Sequence, residues 1–495
     1  MDILNYKTLK DTKFSGYLLE NGIEKILQFG EGNFLRAFSD YYIDLMNERA
    51  NFNAKVVVIK PTSSISETYK KLNLQDGLYT EYFRGRENGV KINNKRIISS
   101  LSRCINPYVE FDKYLESASN DDLRFIISNT TEAGIKFDDT CKFIDKPANS
   151  FPGKLCQLLY KRWELNKKGF IILSCELIDH NGDELKKCVI DYINLWKLSD
   201  EFKKWVEKEN IFCSTLVDKI VTGFPKNEIE KLNNENGYID NCINTAESFG
   251  LWVIEGPESI YKELPIKEAG LQNEILITDN HMPYKERKVR ILNGAHTSTI
   301  LGAYLAGFDI VRDIMNDDVI SKFMDKFLKE EVIPTLSLNK DELLDFADKV
   351  TDRFNNPYID HLLLSISLNS TAKWKARVMP TLLEYVKRKG VLPKLTVMSF
   401  AFYISFYHKG AEKVNGALVG NRKGEKFEIK DDEYVLDLYF NHTNDDNKTL
   451  VKTIIENEKI WGKELKNIKG FYDEVVADLD LIDKVGAYEA MKMCL

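Results

Sequence analysis

Short apolar runs alternate with helix-period stretches through the first half of the chain, and helical patterning dominates the second. Residues 25–29 (KILQF), 55–60 (KVVVIK), 124–128 (RFIIS) and 169–175 (GFIILSC) are near-continuous apolar segments of strand length. Strands buried on both faces read this way, and their alternation with helices predicts a parallel α/β sheet. Residues 212–225 and 251–256 complete a strand-rich half, and residues 75–80 (QDGLYT) read as a turn into a strand. From about Asn280 the spacing predicts helices to the end, interrupted by Pro334, Pro357, Pro380 and Pro393. There is no internal repeat and no Pro/Ser linker, so the boundary falls near residue 279, giving domains 1–279 and 280–495.

The first strand runs directly into Gly30-Glu31-Gly32-Asn33-Phe34-Leu35-Arg36 and then a helix with Phe34, Leu35, Phe38, Tyr41, Tyr42, Leu45 and Met46 at helical spacing. Strand, glycine turn and helix N-terminus form the setting in which a backbone can approach a pyrophosphate. The usual third glycine is missing, with Leu35 and Arg36 in its neighbourhood. At the end of the second strand Lys60-Pro61-Thr62 stands where an acid would hold an adenosine ribose, so local chemistry leaves NAD or NADP open. Asn129-Thr130-Thr131-Glu132-Ala-Gly134 closes the 124–128 strand as a polar loop at the edge where open α/β sheets bind ligands. Asn181, before a glycine and a helix, is either a cap or turn residue or an amide donor at a site.

The densest chemistry lies in residues 280–307, where Lys288, Asn293 and His296 form K-x4-N-x2-H. Asn293 and His296 are three apart and share a helix face, while Lys288 lies about 12 Å before His296 at ~1.5 Å per residue. A lysine can exchange a proton while an amide and an imidazole hold a carbonyl or alkoxide oxygen. A charged, capped helix entry is the alternative, and Arg287 and Arg290 are either a solvated face or charges that favour a neutral amine.

Composition narrows the partners. The 495 residues are 43% hydrophobic and 29% charged, with a net charge of −7, an ordinary globular balance that argues against nucleic acid. No apolar run approaches a membrane span and the start has no signal pattern; eight scattered cysteines without a C-x2-C pair fit reduced thiols in the cytoplasm and no zinc cage.

These stretches together resemble the polyol-specific long-chain dehydrogenase/reductase family, which includes mannitol dehydrogenases and hexuronate reductases. The likeness covers nearly the whole chain and is strongest to the hexuronate-reducing members. It rests on QFGEGNFLRAF, QDGLY, SNTTEAGI, CELIDHNGDEL, TLVDKIVTGFP, PYKERKVRILNGAHT and RFNNPYIDHLLLSISLNSTAKWKARVMP. It implies a Rossmann-type NAD domain followed by a mostly α-helical domain, a site in the cleft between them, and metal-independent hydride transfer to a small ketouronate. It places Phe29, Gly30, Gly32, Asn33, Phe34, Leu35, Arg36, Asp76, Asn129, Thr130, Thr131 and Glu132 at the cofactor, with NADH preferred over NADPH. Lys288 becomes the acid/base, with Asn293 and His296 as orienting groups. Polyol members carry an asparagine where Leu177 stands, so Asn181 is the substitute second amide; a glutamate of some members is Lys285 here. For the carboxylate of a uronate, Lys373 with Arg377 or Arg290 is the expected cation set, since Lys373 and Arg377 share a helix face. A solvated basic face over Trp374 is the alternative. Other outcomes are a fructuronate or neutral-polyol dehydrogenase, an NAD-sensing protein, or an isomerase or epimerase using bound nicotinamide.

Overall fold

A computed structural model of the chain describes residues 1–495 other than Ile65, Glu132 and Lys409, with 410 and 411 described by their backbone. It contains two compact units, one of Met1–Arg84 and Ile92–His281, the other of Gly85–Lys91 and Met282–Leu495. No helix of the described residues is long and apolar enough to cross a membrane.

The strands up to residue 281 are β1 (Ile23–Phe29), β2 (Ala54–Ile59), β3 (Tyr79–Glu87), β4 (Val90–Ile98), β5 (Leu101–Ile105), β6 (Phe125–Ser128), β7 (Ile171–Ser174), β8 (Ile211–Asp218), β9 (Asn244–Ala246), β10 (Leu251–Glu255) and β11 (Ile275–Thr278). Eight form one sheet in the order β11-β10-β8-β7-β6-β1-β2-β5. Neighbours run parallel throughout except β8 and β10, which are antiparallel. Both faces are covered: Ile26, Val56, Val58, Ile127 and Leu173 enter one core, while Leu27, Phe29, Val57, Ile59, Ile126 and Ile172 enter the other. That two-sided burial is why these strands read as unbroken apolar runs.

From β1 the chain builds outward through β2 to β5, then returns to the other side of β1 to build β6, β7 and β8. The strand order therefore reverses between β1 and β6, and the crevice at their carboxyl ends is where such sheets take ligands. The helix after β1 is broken: Asn33–Ala37 and Ser39–Ala50 meet at Phe38, whose backbone leaves the helical region (φ −115, ψ −86). Gln28, buried in β1, anchors the junction through its bonds to Asp40 (3.2 Å) and Ser39 (3.0 Å).

Three hairpin turns escaped the periodicity. Asn88-Gly89 joins β3 to β4, and Asn415-Gly416 and Lys423-Gly424 join the strands β12 (Gly410–Val414), β13 (Ala417–Arg422) and β14 (Glu425–Ile429). Each pair has two successive positive φ values, the geometry two-residue hairpins require. The second half is therefore mostly helical but carries a three-stranded sheet. Its core is built on two helices apolar all round, Gly294–Ala306 and Lys394–His408, packed so closely that a Cβ at Gly302 would stand 2.6 Å from the Phe402 ring.

Asn181 corrects one expectation. It is the first residue of the helix Asn181–Leu195 and is buried, and its amide clamps two carboxyl-edge segments together. Its Nδ2 donates to the carbonyls of Glu176 (2.8 Å) and Thr215 (3.0 Å), and its Oδ1 accepts from the Thr215 N–H (2.8 Å). Both amide protons are engaged, so no donor remains for a substrate oxygen. Asn181→Ala is expected to lower the unfolding free energy by about 1–3 kcal/mol, because it strands a buried N–H and two carbonyls. Urea denaturation measures this; an unchanged midpoint would free the amide for another role.

Candidate active site

In the first unit the crevice is framed by the turn after β1 and the loop after β6. Gly30 has φ +134, and a Cβ there would press on Leu35 (3.2 Å) and the Asn129 carbonyl (3.3 Å). Gly32 is exposed with nothing within 4 Å of a built Cβ, so the backbone lies open at the start of the helix Asn33–Ala37. The turn thus offers the close backbone approach that a pyrophosphate needs. The facing loop is held from β7. Glu176, buried, accepts from the Thr130 N–H (3.0 Å), the Thr130 hydroxyl (3.0 Å) and the Ser128 hydroxyl (3.1 Å). Asn129 donates to the Cys175 carbonyl (2.8 Å), and Thr131 has φ +79. Burial pushes the Glu176 carboxyl up, partly offset by the donors from Thr130 and Ser128. Glu132 lies outside the described residues.

The other cofactor candidates fall into groups. Asn33 is exposed and Phe34 half-buried beside Gly32. Phe29 and Leu35 are core residues, so their backbone alone faces the turn. Arg36 is a brace: buried, it donates to the Cys242 carbonyl (2.6 Å) and to Asn33 Oδ1 (2.7 Å) and lies over the Tyr79 ring. Asp76 corrects the sequence reading. Its carboxylate accepts from the Tyr6 N–H (3.3 Å), and the adjoining Gly77 abuts the Leu101 carbonyl at the amino end of β5. That is about 13 Å of strand, at ~3.3 Å per residue, from the carboxyl edge. Lys60 is not a spare cation for a 2′-phosphate either, since it is buried, 3.7 Å from Glu31 of the glycine turn and 2.9 Å from Ser64 Oγ.

In the second unit, residues 282–306 run as one helical rod whose middle turn, Lys288–Asn293, is π-helical. On an α-helix residues five apart diverge by about 140°. The i→i+5 bonding of the wide turn brings Lys288 and Asn293 closer to one face than an α-helix would, and Asn293 and His296 then share a face by ordinary α-helical spacing. This departs from the plain α-helix assumed from the sequence. All three residues are half-buried.

His296 stacks on Phe354 (centroids 3.8 Å, 15°) and meets His361 edge-on at 5.6 Å. Its Nε2 is buried without a hydrogen-bond partner among the described residues. Burial, followed by the nearby His361, Arg377, Arg353 and Lys373, pushes its pKa down to about 3, so the ring is neutral at physiological pH. The helix Ser370–Arg377 delivers the two expected cations to this place: Arg377 donates to Thr297 Oγ1 (3.3 Å), and Lys373 donates to the Ile366 carbonyl (2.8 Å). Lys375 instead reaches the Ile460 carbonyl, and Trp374 is core, donating to Ser399 Oγ (3.1 Å).

Arg290 does not join that group. It is buried, with Nε on Thr381 (2.8 Å), Nη1 on Glu286 (2.6 Å) and Nη2 on Thr335 (2.5 Å). A guanidinium so engaged is a helix brace rather than a substrate cation. Arg287 pairs with Glu342 and lies over Phe346. Each carries its own carboxylate, which offsets the positive field expected around Lys288. Conversely, Arg353, His361 and Glu176 were missed by residue-level reasoning, although the stretches carrying them were conspicuous. Among the described residues no group of three or more His, Cys, Asp or Glu is placed to hold a metal ion.

Comparison with known proteins agrees with this architecture. Residues 24–268 match the mannitol dehydrogenase Rossmann domain and residues 280–483 the mannitol dehydrogenase C-terminal domain. Altronate oxidoreductase of Enterobacter sp. (strain 638) is 44% identical over 496 residues, covering 98% of this chain and 99% of that protein. The Escherichia coli O7:K1 (strain IAI39 / ExPEC) protein of the same name is 43% identical over 497 residues, with 98% and 99% covered. Substrate-free D-sorbitol dehydrogenase superposes with a TM-score of 0.82 at 20% identity, covering 99% of this chain and 100% of that one. Pseudomonas fluorescens mannitol 2-dehydrogenase, solved with NAD and D-mannitol, gives 0.66 at 22% identity, covering 99% of each. With both domain types matched in order and full-length relatives above two-fifths identity, the chain belongs to the mannitol dehydrogenase family.

Proposed function

We propose that this chain is an NAD-dependent oxidoreductase acting on CH–OH groups that interconverts D-tagaturonate and D-altronate in hexuronate catabolism, with NADH as the reductant. The observation that carries the substrate class is the gathering of Arg353, Lys373 and Arg377 around a neutral His296, on the helical rod that also bears Lys288 and Asn293. An anionic end group taken out of water needs such partners, because an unpaired buried charge costs several kcal/mol. The relatives named altronate oxidoreductase support the same class.

The glycine turn at 30–32, with the exposed Asn33 beside it, holds the cofactor's pyrophosphate, and the 129–131 loop pinned by Glu176 borders its other half. NADH, when bound there, supplies the hydride that reduces the ketone carbon. The chain's own groups do the rest. Lys373, Arg377 and Arg353 hold the carboxylate, and the Asn293 amide and the His296 ring orient the reacting oxygen. Lys288 gives it a proton as negative charge develops. A positioned donor of this kind is worth about 3–4 kcal/mol in transition-state stabilisation. His296, held neutral by its surroundings, serves as a hydrogen-bonding group and not as the acid.

Lys288→Ala is expected to lower turnover by far more than tenfold (about 1.4 kcal/mol) while NADH affinity, measured by fluorescence titration, stays within a factor of about two. Retention of a tenth of parental turnover would remove Lys288 from the acid/base role. Lys373→Ala should raise KM for the ketouronate at least about tenfold, and KM for an uncharged ketose of similar length much less. Equal effects on both substrates would assign Lys373 to structure. Because Glu31 already offsets the Lys60 charge, kcat/KM should be higher with NADH than with NADPH, and equal or better efficiency with NADPH would contradict this assignment.

A further inference from the structure

Glu176 is an unusual group to find at the edge of a dinucleotide crevice. Its carboxylate is buried and has no ion pair among the described residues, being held by neutral donors: the Thr130 N–H and hydroxyl, the Ser128 hydroxyl and its own backbone N–H. Placing a negative charge near a cofactor whose phosphates are negative costs energy, and a neutral acceptor such as a glutamine amide could have pinned the loop. The carboxylate sits between the carboxyl ends of β6 and β7, on the far side of β1 from β2 and β5. In sheets of this order the adenosine half of the dinucleotide lies over the β1–β2 side and the nicotinamide half over the strands beyond the reversal. The nicotinamide ring is cationic in NAD+ and neutral in NADH. A buried carboxylate without a counter-cation gains from a positive charge brought near it, and that gain is larger in a low-dielectric setting.

We propose that Glu176 is a positioning residue with an electrostatic role, pinning the loop after β6 and biasing the crevice towards the cationic, oxidised form of the cofactor over the reduced one. The inference rests on the reading that the chain binds NAD. No residue needs to move and no proton needs to be exchanged, since the preference follows from where the charge is fixed.

The test separates charge from shape. Glu176→Gln keeps one oxygen to accept from Thr130, and its amide can donate to the Ser128 hydroxyl, which can reverse its role. The loop clamp survives while the charge is lost. Affinities for NAD+, NADH and ADP-ribose, which lacks the nicotinamide, are measured by calorimetry on the full-length parent and variant. Affinity for NAD+ relative to NADH should fall by about threefold or more, with ADP-ribose unchanged. Thr130→Val weakens the clamp but keeps the charge, so it should leave the NAD+ to NADH ratio alone. If Glu176→Gln changes both affinities in the same proportion, or neither, the electrostatic role is overturned. Should that variant fail to fold, Glu176→Asp keeps the charge and must keep the ratio; a lost preference there also overturns it. A parent that binds ADP-ribose and both cofactor forms upholds the cofactor reading whichever way the ratio falls. A parent that binds none of the three overturns that reading, and this inference with it.

Discussion

The pairing of β1 with β2 on one side and β6 on the other is the constraint on which the first unit depends. A strand inserted between neighbours built in opposite directions leaves the carboxyl ends of β1 and β6 uncovered by a direct connection. The backbone groups around that gap need partners, and water alone does not supply them for buried atoms. Side chains take the task. Glu176 satisfies Thr130, Asn129 satisfies Cys175, and Asn181 ties Glu176 to Thr215. The crevice owes its shape to buried polar side chains as much as to the glycines that open it.

The second unit solves a different electrostatic problem. Cations paired with carboxylates, as Arg287 is with Glu342 and Arg290 with Glu286, stiffen the helical rod and contribute little field beyond it. Lys373 and Arg377, held by a carbonyl and a hydroxyl, instead add their fields, with those of His361 and Arg353, to the burial that chiefly keeps the His296 imidazole uncharged. The same residue type therefore does opposite work depending on its partner, a distinction that sequence spacing does not carry.

That contrast explains what was legible. The sheet strands were readable because burial on both faces writes an unbroken apolar run, and the glycine turn because its strand and helix flank it. Lys373 and Arg377 were readable as a pair because four residues make one α-helical turn. Asn181 was ambiguous because caps, clamps and catalytic amides use the same group, and only its partners decide. Asp76 was misplaced because a short motif names a turn without saying at which end of the sheet it lies. The hairpins at 88–89 and 415–416 did carry the Asn-Gly signal; helical patterning on either side of the second one obscured it. Arg353 stands in the last turn of the helix Lys340–Phe354 and His361 in the irregular segment beyond it, so no single periodicity points to their shared destination.

The π-helical turn has a consequence for how this chain tolerates changes of length. The turn holds one residue more than an α-helical turn would, and the pattern of apolar positions on either side accommodates it. Removing any one of residues 289–292 would let the rod close into an uninterrupted α-helix with its hydrogen bonds intact. Lys288, Asn293 and His296 would all remain, and Lys288 and Asn293, then four positions apart on an α-helix, would still share a face, about 40° from each other around the axis. A one-residue gap inside an otherwise well-matched motif in a relative therefore leaves the same three side chains on one face, although their spacing in the sequence has changed.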